Sequence, residues 1–163
     1  MMPSRRRKRP LKPVSVFVSY AHKDMIRCDE LRDHLAELER QKILHVWWDG
    51  MIDPKAPWDT DIKKHLRTAR IVVLLVSSRF LGSWYCNEIE VKEAVARHLK
   101  SKGKKTVVVP VLLRKCHCKH APWAQFDTEP KKHKTVTGNR DRRDSAWTEV
   151  AEKLEAIALR KKP

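Results

Sequence analysis

Three glutamates, Glu88, Glu90 and Glu93, follow within twenty residues of the apolar run Ile71-Val72-Val73-Leu74-Leu75-Val76 and its polar exit, Ser77-Ser78. Carboxylates on a helix that leaves a buried strand through a polar loop make a candidate site, and the chemistry open to them is stabilisation of positive charge in a crevice. The plainer role is to complement the helix macrodipole from water. Glu88 and Glu90 are two apart, roughly 200° around a regular helix, so only one of them can face a given crevice. Cys86, near the helix start, is either a thiol with a depressed pKa or a small apolar filler. Cys116-His117-Cys118-Lys119-His120 carries zinc-type ligands, but they are crowded and no second pair accompanies them, which speaks against a metal. Trp58, after a proline-punctuated loop, is placed to stack on a planar ring. With four glycines the chain has no GxGxxG or Walker pattern, and no serine sits in a G-x-S-x-G elbow. Any nucleotide must be held by other means, such as the amides of the helix after Ser83.

The elements that position these residues follow from periodicity. Val14 to Tyr20 is β-branched and aromatic and predicts a first strand. Asp24 is a candidate cap for a helix whose stripe is Cys28, Leu31, Leu35 and Leu38. Ile43 to Asp49 predicts a second strand and Gly50 to Pro57 a loop. A helix carrying Trp58, Ile62, His65, Leu66 and Ala69 comes next. Ile71 to Val76, apolar throughout, reads as a strand buried on both faces. The next helix, with Ser83 as N-cap, places Ile89, Ala94, Val95 and Leu99 along one side. Thr106 to Leu113 predicts a fourth strand in which Pro110 forces a bulge or lost pairing. A short fifth strand is expected near Lys134 to Thr137. The last helix, capped near Asp144 or Ser145, buries Trp147, Val150, Ala151, Leu154 and Ile157. This alternation predicts an α/β, flavodoxin-like three-layer fold with a mostly parallel five-stranded sheet, order 2-1-3-4-5. Ligands of such sheets bind outside the carboxyl ends of the strands where the order reverses, here between the first and third.

A chain of 163 residues suits one domain, expected over residues 14–159, with a disordered basic arm at 1–13 and a basic tail at 160–163. The net charge of +16 sits in the arm, in loops and at the end, which favours solvated runs over one binding face. The arm invites weak, sequence-independent contact with nucleic acid or acidic lipid. No run approaches the ~18 apolar residues of a membrane span, and four cysteines without an apolar leader point to a reducing, cytoplasmic setting.

Several phrases together resemble a bacterial Toll/interleukin receptor (TIR) domain. They are Phe17-Val18-Ser19-Tyr20, Trp48-Asp49, Ile52-x-Pro54 with Trp58 downstream, Leu75-Val76-Ser77, Phe80-Leu81-x-Ser83-x-Tyr85-Cys86 with Glu90, Pro110 to Leu113 with Cys116, and Asn139-Arg140-Asp141 to Trp147. The resemblance implies the same flavodoxin-like sheet and one of two activities. One is an NAD+ or NADP+ glycohydrolase or cyclase in bacterial defence or stress signalling, activated by self-association. The other is a non-catalytic module that assembles through contacts between TIR domains. For the enzyme it implies Glu90 as catalytic residue, with Glu88 as second candidate, and Tyr20, Trp48, Asp49, Trp58 and Ser77 as the substrate-binding lining. NAD+ or NADP+ is then the substrate and no separate cofactor or metal is implied. The partners implied are other TIR domains in a homo-oligomer or filament.

Overall fold

A computed structural model describes residues 12–49 and 58–160; the side chains of Trp58 and Asp59 lie outside the description. The expected basic arm, basic tail and Gly50 to Pro57 loop therefore fall almost wholly outside the described residues. The elements run β1 (Val14–Ser19), a 3-10 turn (His22–Asp24), α1 (Met25–Arg40), β2 (Leu44–Trp47), α2 (Trp58–Thr68), β3 (Ile71–Val76) and α3 (Ser78–Leu81). A π-helical turn (Cys86–Val91) then continues into α4 (Lys92–Ser101), with β4 (Val107–Leu112), a second 3-10 turn (Pro122–Gln125) and α5 (Arg140–Ala158) after it. All strand pairs are parallel and the order is β2-β1-β3-β4. The three-layer α/β fold is as expected, with four strands in the sheet among the described residues.

Alternation along the strands sorts the core into two layers. Val16, Val18, Ile71, Val73 and Leu75 pack with Cys28, Leu31 and Leu35 of α1 and Trp147, Val150, Leu154 and Ile157 of α5. Phe17, Val72, Leu74 and Val76 pack with Ile62 and Leu66 of α2, Phe80 of α3 and Val91, Ala94 and Val95. Every residue of β3 is fully buried, as its unbroken apolar run requires. Each such side chain contributes roughly 1.5–3 kcal/mol of burial, so β3 is the axis of the domain.

Two expectations for the far edge are corrected. The β4 register is continuous through the Leu74↔Pro110 pair, without a bulge. The reason is that Pro110 turns its missing N–H to the outer side, where its carbonyl accepts from Glu129 N at 2.8 Å. Residues 134–137 form no strand. Glu129 pairs with Val111 as an isolated bridge, and Val136 N donates to Leu112 O at 3.0 Å, so two short backbone contacts cover the edge that a fifth strand was expected to cover.

The stripe of the helix after β3 also differs from the regular reading. Cys86, Glu90, Val91, Ala94 and Val95 are buried, while Leu99 is 50% exposed and Ile89 is only partly covered. Cys86, Glu90 and Ala94 recur at four, as do Val91 and Val95, so the buried arc runs through these residues and leaves Ile89 and Leu99 at its margins; the segment Cys86–Val91 is π-helical.

Candidate functional site

Ser19 is the last residue of β1 and, by strand alternation, shares the side of Phe17, facing α4. Its hydroxyl donates to Glu90 Oε2, and the two residues are 1% and 6% exposed. Glu90 is thus a buried carboxyl at the carboxyl end of the central strands, with the Ser19 hydroxyl as its side-chain hydrogen-bond donor among the described residues. Burial pushes its pKa up to about 8; Asp49 adds to the rise through its charge, and the Ser19 hydrogen bond opposes it.

Tyr20 alternates to the other side of the sheet, and its phenol donates to Asp49 Oδ1 just beyond β2. Burial first, then Asp49, raises the Tyr20 pKa, so the phenol stays protonated. His22 Nε2 lies 3.6 Å from Asp49 Oδ2 and its ring meets Tyr20 edge-on. Cys86 packs beneath, its thiol 3.6 Å from the Tyr20 carbonyl. Its pKa is pushed up to about 11 by burial and by Glu90, which holds the buried thiol protonated.

The remaining sequence candidates fall elsewhere. Glu88 is exposed and pairs with Lys92; with Glu93, Lys63 and Arg67 it lines a shallow groove of about 290 Å³ between α2 and the helix after β3, and Ser19 is not part of that lining. Trp48 is partly buried against the α1 and α5 side of the core, and the Arg32 guanidinium occupies one face of its ring at 3.3 Å. Trp58 begins α2, but its side chain is outside the described residues. Ser77 is fully buried and has structural partners: it accepts from Phe80 N at 3.1 Å as N-cap of α3 and donates to Asp24 Oδ2 at 2.5 Å. Ser83 meets its expected role, accepting from Cys86 N at 3.3 Å.

Asp24, expected as a helix cap, stands at the cap position of α1 but makes no capping bond. Its buried carboxylate binds Ser77, Arg114 Nη2 at 2.8 Å and Arg79 Nη1 at 3.5 Å. This cluster joins the loop after β1 to the segments after β3 and β4, at the same end of the sheet as Ser19 and Glu90. Ser19, Arg79, Arg114 and Asn87 are roles that sequence spacing missed. Ser19 alone had a local signal, being polar at the end of an apolar strand. Among the described residues no group of three or more His, Cys, Asp or Glu is arranged to hold a metal ion; Cys116 and Cys118 are half-buried thiols.

Residues 16–156 match the sequence profile of the TIR domain. The chain belongs to the TIR domain family. A relative in Sinorhizobium fredii (strain NBRC 101917 / NGR234), named "Uncharacterized protein y4lF", is 35% identical over 146 residues. That alignment covers 90% of this chain and 44% of the relative, so this TIR domain spans less than half of that protein's length. No helix among the described residues is long and apolar enough to cross a membrane.

Proposed function

We propose that this TIR domain cleaves the N-glycosidic bond between nicotinamide and ribose in NAD+ or NADP+, with Glu90 as the catalytic residue, in bacterial defence or stress signalling. The observation that carries the reading is the burial of Glu90 beside Ser19 at the carboxyl end of the parallel sheet, with Asp49 and Tyr20 alongside. Nicotinamide is cationic in the substrate and leaves neutral with the bonding electron pair, so the leaving group needs no proton. What needs help is the oxocarbenium-like ribose, and a carboxylate at C1′ stabilises it until water or an internal nucleophile adds. Glu90 must be ionised for this role. The cationic nicotinamide ring of the substrate, placed beside Glu90, favours that form and lowers the pKa from about 8 as it binds. Asp49 and the Tyr20 phenol are suited to hold ribose hydroxyls, and Trp58 to stack on a ring. Turnover is proposed to rise with self-association into a homo-oligomer or filament. The test is nicotinamide release at several protein concentrations, for the wild type and for Glu90→Ala. Loss of at least a hundredfold in kcat is expected, and activity that survives the change removes Glu90 from the mechanism.

A second reading, a non-catalytic interaction module, is favoured by exposed apolar side chains at helix ends. Trp84 is 69% and Ile26 72% exposed, with Met25 and Leu99 about half so. Concentration-dependent assembly abolished by Trp84→Ala, without nicotinamide release by assembled wild type, selects that reading.

A further inference from the structure

The loop from Ser19 to Asp24 begins with Ser19, which bonds Glu90, and Tyr20, which bonds Asp49, and it is pinned at both ends. At its base, Ser19 bonds Glu90, and the Cys86 thiol reaches the Tyr20 carbonyl. At its far end the Asp24 side chain, 1% exposed, gathers partners from three other segments: Ser77 after β3, Arg79 on α3 and Arg114 after β4. Arg79 also donates to the Lys23 carbonyl at 3.0 Å, fixing the loop backbone next to Asp24. The two guanidiniums are 39% and 50% exposed, so they reach in from the surface to neutralise a carboxylate that could not otherwise stay buried. An N-cap needs none of this apparatus, and Asp24 makes no capping bond. A loop of 3-10 character held only by its own turn would let water in beside Glu90; tied down at Asp24, it keeps Tyr20 on Asp49 and Ser19 on Glu90.

We propose that Asp24, clasped by Arg114, Arg79 and Ser77, is the positioning residue of the site: it fixes the Ser19 to Asp24 loop, and through it how Glu90 is presented, without touching substrate. The proposal deepens the reading of Glu90 as the acid and rests on it. The ionisable groups facing Glu90 are Asp49 from the end of β2 and Cys86 from its own helix, with Tyr20 and His22 attached to Asp49. None of them is altered by a change at Asp24; because Asp24→Asn removes a negative charge, which by itself lowers the Glu90 midpoint, and Arg114→Gln removes a positive one, which by itself raises it, a fall in both variants reports on hydration and geometry.

The experiment follows the Glu90 carboxyl by carbon-13 NMR in the full chain, assigned with Glu90→Gln, in wild type, Asp24→Asn and Arg114→Gln. Wild type is expected to titrate near 8. Asp24→Asn is expected to bring the midpoint down by more than one pH unit toward the ordinary 4.5 as water reaches the acid, and Arg114→Gln, which loosens the clasp but keeps Asp24, by less. In nicotinamide release, kcat should fall at least tenfold with KM changed less than threefold, and Asp24→Glu should restore part of it. A folded variant of either kind with the wild-type Glu90 midpoint overturns the proposal. A wild-type midpoint near 4.5, or an assembled wild type without turnover, instead overturns the reading of Glu90 as the poised acid. The titration separates the two because it needs no activity.

Discussion

Glu90 is a carboxyl whose stability and reactivity pull in opposite directions. Its folded pKa, about 8, lies above the ordinary 4.5, so between those values the folded protein binds a proton that the unfolded chain releases. The stabilising contribution of the protonated acid is complete below about pH 4.5 and is lost as pH rises through 8. Glu90→Gln, which keeps the shape and an acceptor for Ser19, should therefore match wild type in stability near pH 5 and exceed it at pH 9 by on the order of 1–3 kcal/mol. Thermal melts at the two pH values check this; equal differences at both would show that the acid is solvated. In the same variant nicotinamide release should vanish, the usual exchange of function for stability at a strained site. Glu88→Ala makes the contrasting case. Its carboxylate is exposed and pairs with Lys92 at the surface, so stability should change by less than ~0.5 kcal/mol and kcat by less than threefold. A collapse of turnover in Glu88→Ala with intact Glu90 would exchange the two assignments.

At the scale of elements, the helix after β3 shows what periodicity can and cannot carry. The stripes of α1 and α5 were legible because 3.6-residue spacing holds through Cys28, Leu31 and Leu35 and through Trp147, Val150, Leu154 and Ile157. The spacing of Ile89, Ala94, Val95 and Leu99 assumed the same regular helix, whereas the chain inserts a π-helical turn over Cys86–Val91. Nothing in a 3.6-residue pattern announces that insertion, although Cys86, Glu90 and Ala94, four apart, share a face with or without it. The family resemblance singled out Glu90 from the spacing to Cys86, but neither its burial nor its bond to Ser19, 71 residues away, is visible in a single sequence. The Asp24 clasp was illegible for a different reason. Its partners lie 53, 55 and 90 residues away, and a single sequence shows no pairing across such distances. The junction before the turn is held by Asn87, whose side-chain amide donates to the carbonyls of Phe80 at 2.8 Å, Leu81 at 3.2 Å and Ser83 at 2.7 Å. Asn87→Ala leaves those carbonyls without that donor and should cost about 1–3 kcal/mol in urea unfolding. Because Asn87 sets where α3 ends and the π-helical turn begins, the same change should also lower kcat. Full stability and full turnover in the variant would mean that the turn is held by Glu90 and Val91 packing alone.

At the scale of the whole molecule, the net charge of +16 bears on assembly. If turnover needs two or more copies side by side, each copy must approach another of the same sign, and at a Debye length of about 30 Å in 0.01 M salt that repulsion spans a whole domain. Raising ionic strength to about 0.15 M shortens the length to about 8 Å and should ease association. The substrate feels the reverse effect, since its diphosphate is drawn to a basic surface and screening weakens that pull. The two are separable. Repulsion between copies acts on the protein concentration giving half-maximal specific activity, while substrate attraction acts on KM at saturating protein. Between about 20 and 150 mM salt the half-maximal protein concentration is therefore expected to fall severalfold while KM rises. Removing residues 1–12, which carry a basic run of five with Lys12, should shrink the first effect by lowering the charge that must be screened. The measurement is specific activity against protein concentration at the two salt levels, with light scattering on the same samples. A half-maximal concentration that rises with salt would mean that association is driven by ion pairs between copies, and the assembly surface would then have to include acidic groups such as Glu88 and Glu93 facing the basic loops of a neighbour.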